Sequence, residues 1–400
     1  MSETAATASG AGEGAPAAAR PGLGVLLREW GRIGCIGFGG PPAHIALLRE
    51  LCVERRRWLT GEEFEDGIAA TNLLPGPGST QLAIYCAWRL HGVAGAVVGG
   101  LAFIVPGLIA ILALSALFLA SSPPEWVLGA GAGAGAAVGP VALNAAAKLV
   151  PASYRRASAR ARWGAYVAAG AVSAATVGTW VVLVLLACGA VELLVHRRNA
   201  SSRPTLSAHG WPLLTAAAIA GSGGLLALMW VAFKVGALSY GGGFVIIPLM
   251  QHDAVDVYHW MTGSQFLNAV ALGQVTPGPV VHTVAVVGYA AGGVGGGLLA
   301  AAVAFSPSFA FITLGADRFD RLRADAQVRA FLEGAGPAAI GAIGGAVVPL
   351  VGALTEAWQL AVLVGAAIAL FVLRRGVVAT LVTAGLVGAA AALLGAPLPS

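Results

Sequence analysis

The chain has 400 residues, of which 58% are hydrophobic and 10% charged, with a mean hydropathy of +0.81. A soluble domain carries about 25% charged residues, so a soluble globule is excluded, and at about 20 apolar residues per spanning helix the length allows roughly ten membrane segments. The net charge of +5 sits in short loops beside apolar segments, where it reads as a topology signal; there is no basic, aromatic-interleaved surface for nucleic acid.

In chain order, residues 1–20 are small and polar and predict a disordered tail without the basic and apolar regions of a cleaved signal peptide. Residues 21–150 form a first membrane repeat. It opens with Gly37-Phe38-Gly39-Gly40-Pro41-Pro42, poor helix formers set in an apolar neighbourhood. A helix over 44–54 follows, then Trp58-Leu59-Thr60-Gly61, then a second interruption at Pro75-Gly76-Pro77. Gly78, Ser79 and Thr80 start a helix over 81–90, with Ser79 as N-cap, and spans are predicted at 93–120 and 125–147. Residues 151–196 read as a linking transmembrane hairpin and 197–210 as a basic cytoplasmic linker. A second membrane repeat occupies 211–354, with an extra crossing near its start, and 355–400 are C-terminal transmembrane segments.

The repeat shows as a fixed offset. Phe38, Trp58 and Pro75 recur as Tyr240, Trp260 and Pro277, each 202 residues later, so FGG returns as YGG (Tyr240-Gly241-Gly242), WLTG as WMTG and PGP as PGP. Gly139-Pro140 recurs as Gly336-Pro337 at an offset of 197. Arginine follows the first FGG at positions 49, 55, 56 and 57, whereas 250–264 contains no Lys or Arg. Further on the bias reverses: Ser121–Pro124 is uncharged and its counterpart carries Arg318, Arg321, Arg323 and Arg329. Lys148 and Arg155 to Arg162 likewise face a stretch near 354–358 without Lys or Arg. Because cytoplasmic loops concentrate basic residues, equivalent loops are expected on opposite faces, which predicts two inverted-topology repeats with broken or re-entrant helices.

Inside hydrocarbon, interrupted backbone survives only where protein or a water-filled cavity shelters it, and half-helix N-termini can hold an anion at such a place. Pro41-Pro42, Gly78-Ser79, Gly243 and Pro279 are the predicted N-termini, and four of them could converge on one small anion. The competing reading is that the glycines permit close helix packing, which accounts less well for the doubled Pro-Gly-Pro.

The candidate substrate-binding residues are therefore Phe38, Gly39, Gly40, Pro75, Gly76, Gly78, Ser79, Thr80, Tyr240, Gly241, Gly242, Gly243 and Gly278, together with nearby polar groups. Arg32 and Lys234 occupy equivalent places and either attract substrate or snorkel to the interface. Lys148 reads as a cytoplasmic topology charge. Asn72 and Gln274 either donate to an oxyanion or cap broken carbonyls. Thr276 and His282 flank the second PGP; His282 either carries a coupling proton or is a structural donor, and His44 and Ser239 are candidate lining residues. No catalytic, metal or cofactor site is expected. The four cysteines form no CxxC pair and read as buried hydrophobes. The sequence has no HExxH, GxSxG or P-loop, so an enzyme or ATP-driven pump is not indicated, and energy must come from gradients.

At Gly37-Phe38-Gly39-Gly40-Pro41, Trp58-Leu59-Thr60, Asn72-Leu73-Leu74-Pro75-Gly76-Pro77-Gly78, Tyr240-Gly241-Gly242-Gly243 and Gln274-Val275-Thr276-Pro277-Gly278-Pro279 the sequence resembles the bidomain form of the chromate ion transporter family. The likeness spans roughly 25–350. It implies a bacterial inner-membrane protein that exports chromate and confers resistance, with two homologous domains of opposite topology. Sulfate or another oxyanion as substrate, a gated anion channel, and a homo-oligomer stay open. Ser79 faces Val281 and Glu62 faces Ser264 across the repeat, so the two halves are expected to contribute unequally.

Overall fold

Folded-back pairs of short helices open each half of the chain. The computed structural model describes residues 21–71, 74–176, 181–199, 224–239, 246–315 and 325–399. Helix α1 (Leu23–Ile36) runs to the first interruption, and α2 (Pro41–Arg49) starts from Gly40 and continues as a π-helical turn over Glu50–Arg55. The pair lies back to back: Glu29 on α1 binds Arg55 and Arg56 at 2.6 Å each, and Trp30 stacks on Trp58 at 6.4 Å. Helix α3 (Gly61–Thr71) and the first arm of α4 (Gly78–Phe118) make the second hairpin, tied by the Glu63–Arg89 ion pair at its open end.

The WLTG motif now has a structural meaning. The Thr60 hydroxyl accepts from the Glu63 N–H, and the Glu63 carboxylate accepts from the Thr60 N–H. Thr262 and Gln265 repeat this reciprocal cap at the start of α11, so the motif marks a helix start.

Helix α4 turns on itself at His91 and Gly92, the latter with φ 58°. A methyl group at Gly95 would sit 2.2 Å from the Ala87 carbonyl oxygen, which shows how closely the arms 78–90 and 93–118 pack. After α5 (Glu125–Ala136) and α6 (Val138–Arg156), α7 (Arg160–Thr176) and α8 (Val181–Asn199) complete the first half. The predicted span at 125–147 thus extends to Arg156 and breaks at Ala137, and α7 and α8 occupy the stretch read as a linking hairpin.

The second half repeats this order. Helix α9 (Leu225–Leu238) pairs with α10 (Ile246–Gln251) and its π-helical continuation His252–Val257; α11 (Gly263–Val275) leads to a short 3₁₀ turn, Val280–His282, and to α12 (Thr283–Gly315), which turns back at Gly292 and Gly293. Then come α13 (Ala326–Gly345), α14 (Val347–Gly352), α15 (Ala357–Ala367) with a π-helical end at Ile368–Val372, and α16 (Val377–Leu393). Helices and no strand make up the described residues, so the chain is an all-α, polytopic membrane protein, and among the described residues four helical stretches are long and apolar enough to cross a membrane.

The two halves interlock through their equivalent helices. A methyl group at Gly100 would meet Phe309, and one at Gly297 would meet Leu112, each at 2.5 Å. As numbers rise along α4 they fall along α12, so these counterparts run antiparallel. Helix α5 packs on α16 where Gly129 and Gly133 face Gly388 and Ala384, and α13 packs on α7 where Gly341 faces Val167. In lipid the hydrophobic effect does not drive such contacts, and close van der Waals approach through small residues supplies the attraction. Cys52, Cys86 and Cys188 are buried as expected, but Cys35 is exposed.

The tail 1–20, most of the basic linker, the extra crossing before α9, and Arg318, Arg321 and Arg323 lie outside the described residues, as do Asn72, Tyr240, Gly241, Gly242 and Gly243.

Candidate functional site at the crossing of the hairpin tips

The interrupted segments meet one another. The Gly278 N–H donates to the Gly37 carbonyl at 3.0 Å, and the Gly76 N–H donates to the Ser239 carbonyl at 3.1 Å. Donors 76 and 278, and acceptors 37 and 239, are each separated by the same 202 residues. The tip of the second hairpin of each half therefore bonds to the tip of the first hairpin of the other half. Gly76 and Gly278 have φ of 120° and 90°, a region costly for residues with a Cβ. This explains the glycine inside each Pro-Gly-Pro: only there can the backbone turn and still aim its N–H across the boundary.

Side chains brace the crossing. His44, fully buried on α2, places Nε2 2.9 Å from the Gly37 carbonyl and Nδ1 3.1 Å from the Ser79 hydroxyl. A carbonyl only accepts, so Nε2 carries the proton and the other ring nitrogen accepts from Ser79. The ring stands edge-on to Phe103 at 5.1 Å; His282 stands on Phe305, the counterpart of Phe103, at 5.3 Å. The two histidines come from different hairpins, so the site is only approximately symmetric. Gln81 Nε2 donates to the Pro75 carbonyl at 2.7 Å, closing the first PGP from within.

A cavity of about 1280 Å³ reaches this crossing. Its inner wall includes Gly39, Gly40, Gly76, Gly78, Ser79 and Gln274, and its outer wall includes Asn144, Lys148 and Arg156 of α6 with Arg329 and Glu333 of α13. Several donors at the inner wall have no partner among the described residues: the N–H groups of Gly39, Gly40, Gly78 and Ser79, and Gln274 Nε2, on a side chain only 8% exposed. Ser79 and Gln274 are buried, Gly40 and Gly78 half-buried and Gly39 exposed. Buried donors are almost always satisfied, and these line a space that an anion can enter, beside a helix N-terminus equivalent to roughly half a positive charge.

Six of the predicted residues thus line one cavity. Pro75, Thr80, Thr276, Gly278, His44 and His282 lie in the described structure away from its lining. Thr276 turns its hydroxyl to the Leu272 carbonyl, which caps the broken helix. Phe38 is 45% exposed beside the tip. Arg32 is exposed and does not line the cavity, and Lys234 is buried in an ion pair with Asp253 beneath the Trp230 ring. Ser79 is not the N-cap expected of it. Pro77 holds that position, because the helix starts at Gly78 and Ser79 lies inside its first turn, where its hydroxyl donates to His44. Pro41-Pro42 begins α2 as expected but supplies no N–H, so Gly39 and Gly40 are the donors at that tip.

Reasoning from the sequence missed Asn144, Lys148, Arg156, Arg329 and Glu333 as cavity residues. Asn144 had a signal, being a lone amide in an apolar stretch. The cations had been accounted for by topology alone.

The sequence profile of the family described as "Chromate transporter" matches residues 25–193 and 226–399. The chain is 33% identical over 341 residues to the chromate transport protein of Cupriavidus metallidurans, covering 81% of this chain and 82% of that protein. It is 31% identical over 335 residues to a probable chromate transport protein of Synechococcus elongatus, covering 81% and 84%. To the chromate transport protein of Pseudomonas aeruginosa it is 30% identical over 340 residues, covering 81% and 80%. No solved structure gives a significant match.

Proposed function

The chain belongs to the chromate transporter family, a family of transport proteins rather than enzymes, and from that membership we propose a secondary carrier that exports chromate across the bacterial inner membrane. The dianion sits between the hairpin tips of two inverted repeats, and alternating access comes from the halves moving against each other. The observation that carries this reading is the pair of tip-to-tip hydrogen bonds at one offset beside unpartnered donors. Backbone N–H groups and an amide hold a tetrahedral oxyanion without a buried cation, whose desolvation would be costly. The antiparallel packing of α4 on α12 supports the inverted arrangement.

No ATPase is required. A membrane potential near 100 mV, inside negative, favours outward movement of a dianion by about 4.6 kcal/mol, at about 2.3 kcal/mol per charge. Everted vesicles containing the protein should accumulate chromate when the lumen is made positive, with sulfate competing to the extent that the site accepts it. Absence of potential-dependent chromate uptake would refute the carrier. Conductance far above carrier turnover would instead identify a channel.

A further inference from the structure

The cavity wall is charged on one side of the repeat only. Lys148, Arg156, Arg329, Glu333 and Glu65 are its charged lining residues. Glu65 is held by Arg49, and Lys148 and Arg329 have no acidic partner among the described residues, so the mouth is net positive. The offset of 197 that aligns Gly139-Pro140 with Gly336-Pro337 maps Lys148 to Gly345, Arg156 to Ala353, Arg329 to Ala132 and Glu333 to Ala136. The offset of 202 maps Glu65 to Leu267. Every charge at this mouth therefore has an uncharged counterpart. The counterpart wall is packed shut in this structure: Gln359 Nε2 donates to the Ala132 carbonyl at 3.2 Å, and Gly345 lies against Ala171.

We propose that Lys148 and Arg329, with Arg156, form a one-sided loading vestibule that concentrates divalent oxyanions before they reach the hairpin tips, a charge set that the counterpart positions do not repeat. This rests on the carrier reading and adds to it which residues capture the anion. Topology alone asks only that basic residues lie near the cytoplasmic face; it does not ask that those of α6 and α13 line one cavity. A cationic, low-dielectric cleft raises the local anion concentration and the association rate by about 10- to 1000-fold in total, and one of three cations contributes a few-fold of that.

The test is chromate binding to the full-length protein in nanodiscs, followed by tryptophan quenching in stopped flow. Lys148→Gln is expected to slow association roughly threefold with little change in dissociation, and Lys148→Gln with Arg329→Gln to slow it further. Rising sodium chloride should slow wild type more than either variant, and Lys148→Arg should behave as wild type. Unchanged association and salt dependence in Lys148→Gln, in protein whose wild type binds chromate, overturns the vestibule and leaves the carrier standing. Wild type that binds no chromate removes both.

Discussion

Replacing His44 by alanine probes the joint that holds the first half's two tips together. Two hydrogen bonds are lost, at 2.9 and 3.1 Å, worth on the order of 0.6–1.5 kcal/mol each in an apolar interior. Neither partner is stranded, since Gly37 still accepts from Gly278 and Ser79 faces the cavity. The larger loss is packing. The ring is fully buried against Phe103, and emptying an aromatic-sized space in a core costs about 3–5 kcal/mol, with an imidazole near the lower end. His44→Ala should therefore lose about 4–6 kcal/mol, and His44→Gln less than half of that, because it keeps volume and a donor. Unfolding of the purified protein, followed by tryptophan fluorescence, measures the loss, and chromate flux in vesicles reports the tip geometry. If His44→Ala unfolds within about 1 kcal/mol of wild type and transports normally, His44 is no brace and the account of the joint is wrong.

Three further outcomes are expected. Gly236→Ala places a methyl group 1.9 Å from the Ala304 carbonyl oxygen and should abolish stable expression, whereas Gly164→Ala, with open space around it, should gain up to about 1 kcal/mol in helix propensity; parallel expression and melting assays separate them. Lys234→Ala leaves Asp253 buried without its cation and should cost about 3–5 kcal/mol; the double variant Lys234→Met with Asp253→Leu should recover most of it, and equal losses in both would contradict the ion-pair reading. Gln274→Leu removes an unpartnered donor at the cavity wall and should weaken chromate binding about tenfold or more, since a hydrogen bond to a charged group is worth about 1.5–3 kcal/mol, with melting unchanged; unaltered affinity would take Gln274 out of the site.

The backbone breaks were legible because proline and glycine disrupt a helix wherever they stand, and their shared offset exposed the duplication. That offset also carried the long-range result without stating it: Gly76 to Ser239 and Gly278 to Gly37 is the symmetric way to cross two hairpins. The turn inside α4 was legible too, since a helix over 81–90 followed by a span from 93 leaves the break at His91-Gly92, where the structure has it. Arg32 and Lys234 look equivalent in sequence, yet only Lys234 finds an acid across its hairpin, at Asp253, where the first half has Leu51. Partners supplied from elsewhere in the chain decide such cases. Ser79 shows the same point: a good capping residue lies inside the first turn of α4 and bonds a histidine 35 positions earlier.

Because each half lends a tip to its twin, the carrier reading requires that neither half assemble the crossing in isolation. Severing the chain between Asn199 and Gly224 and producing both fragments together should restore transport, while either fragment by itself should be inert.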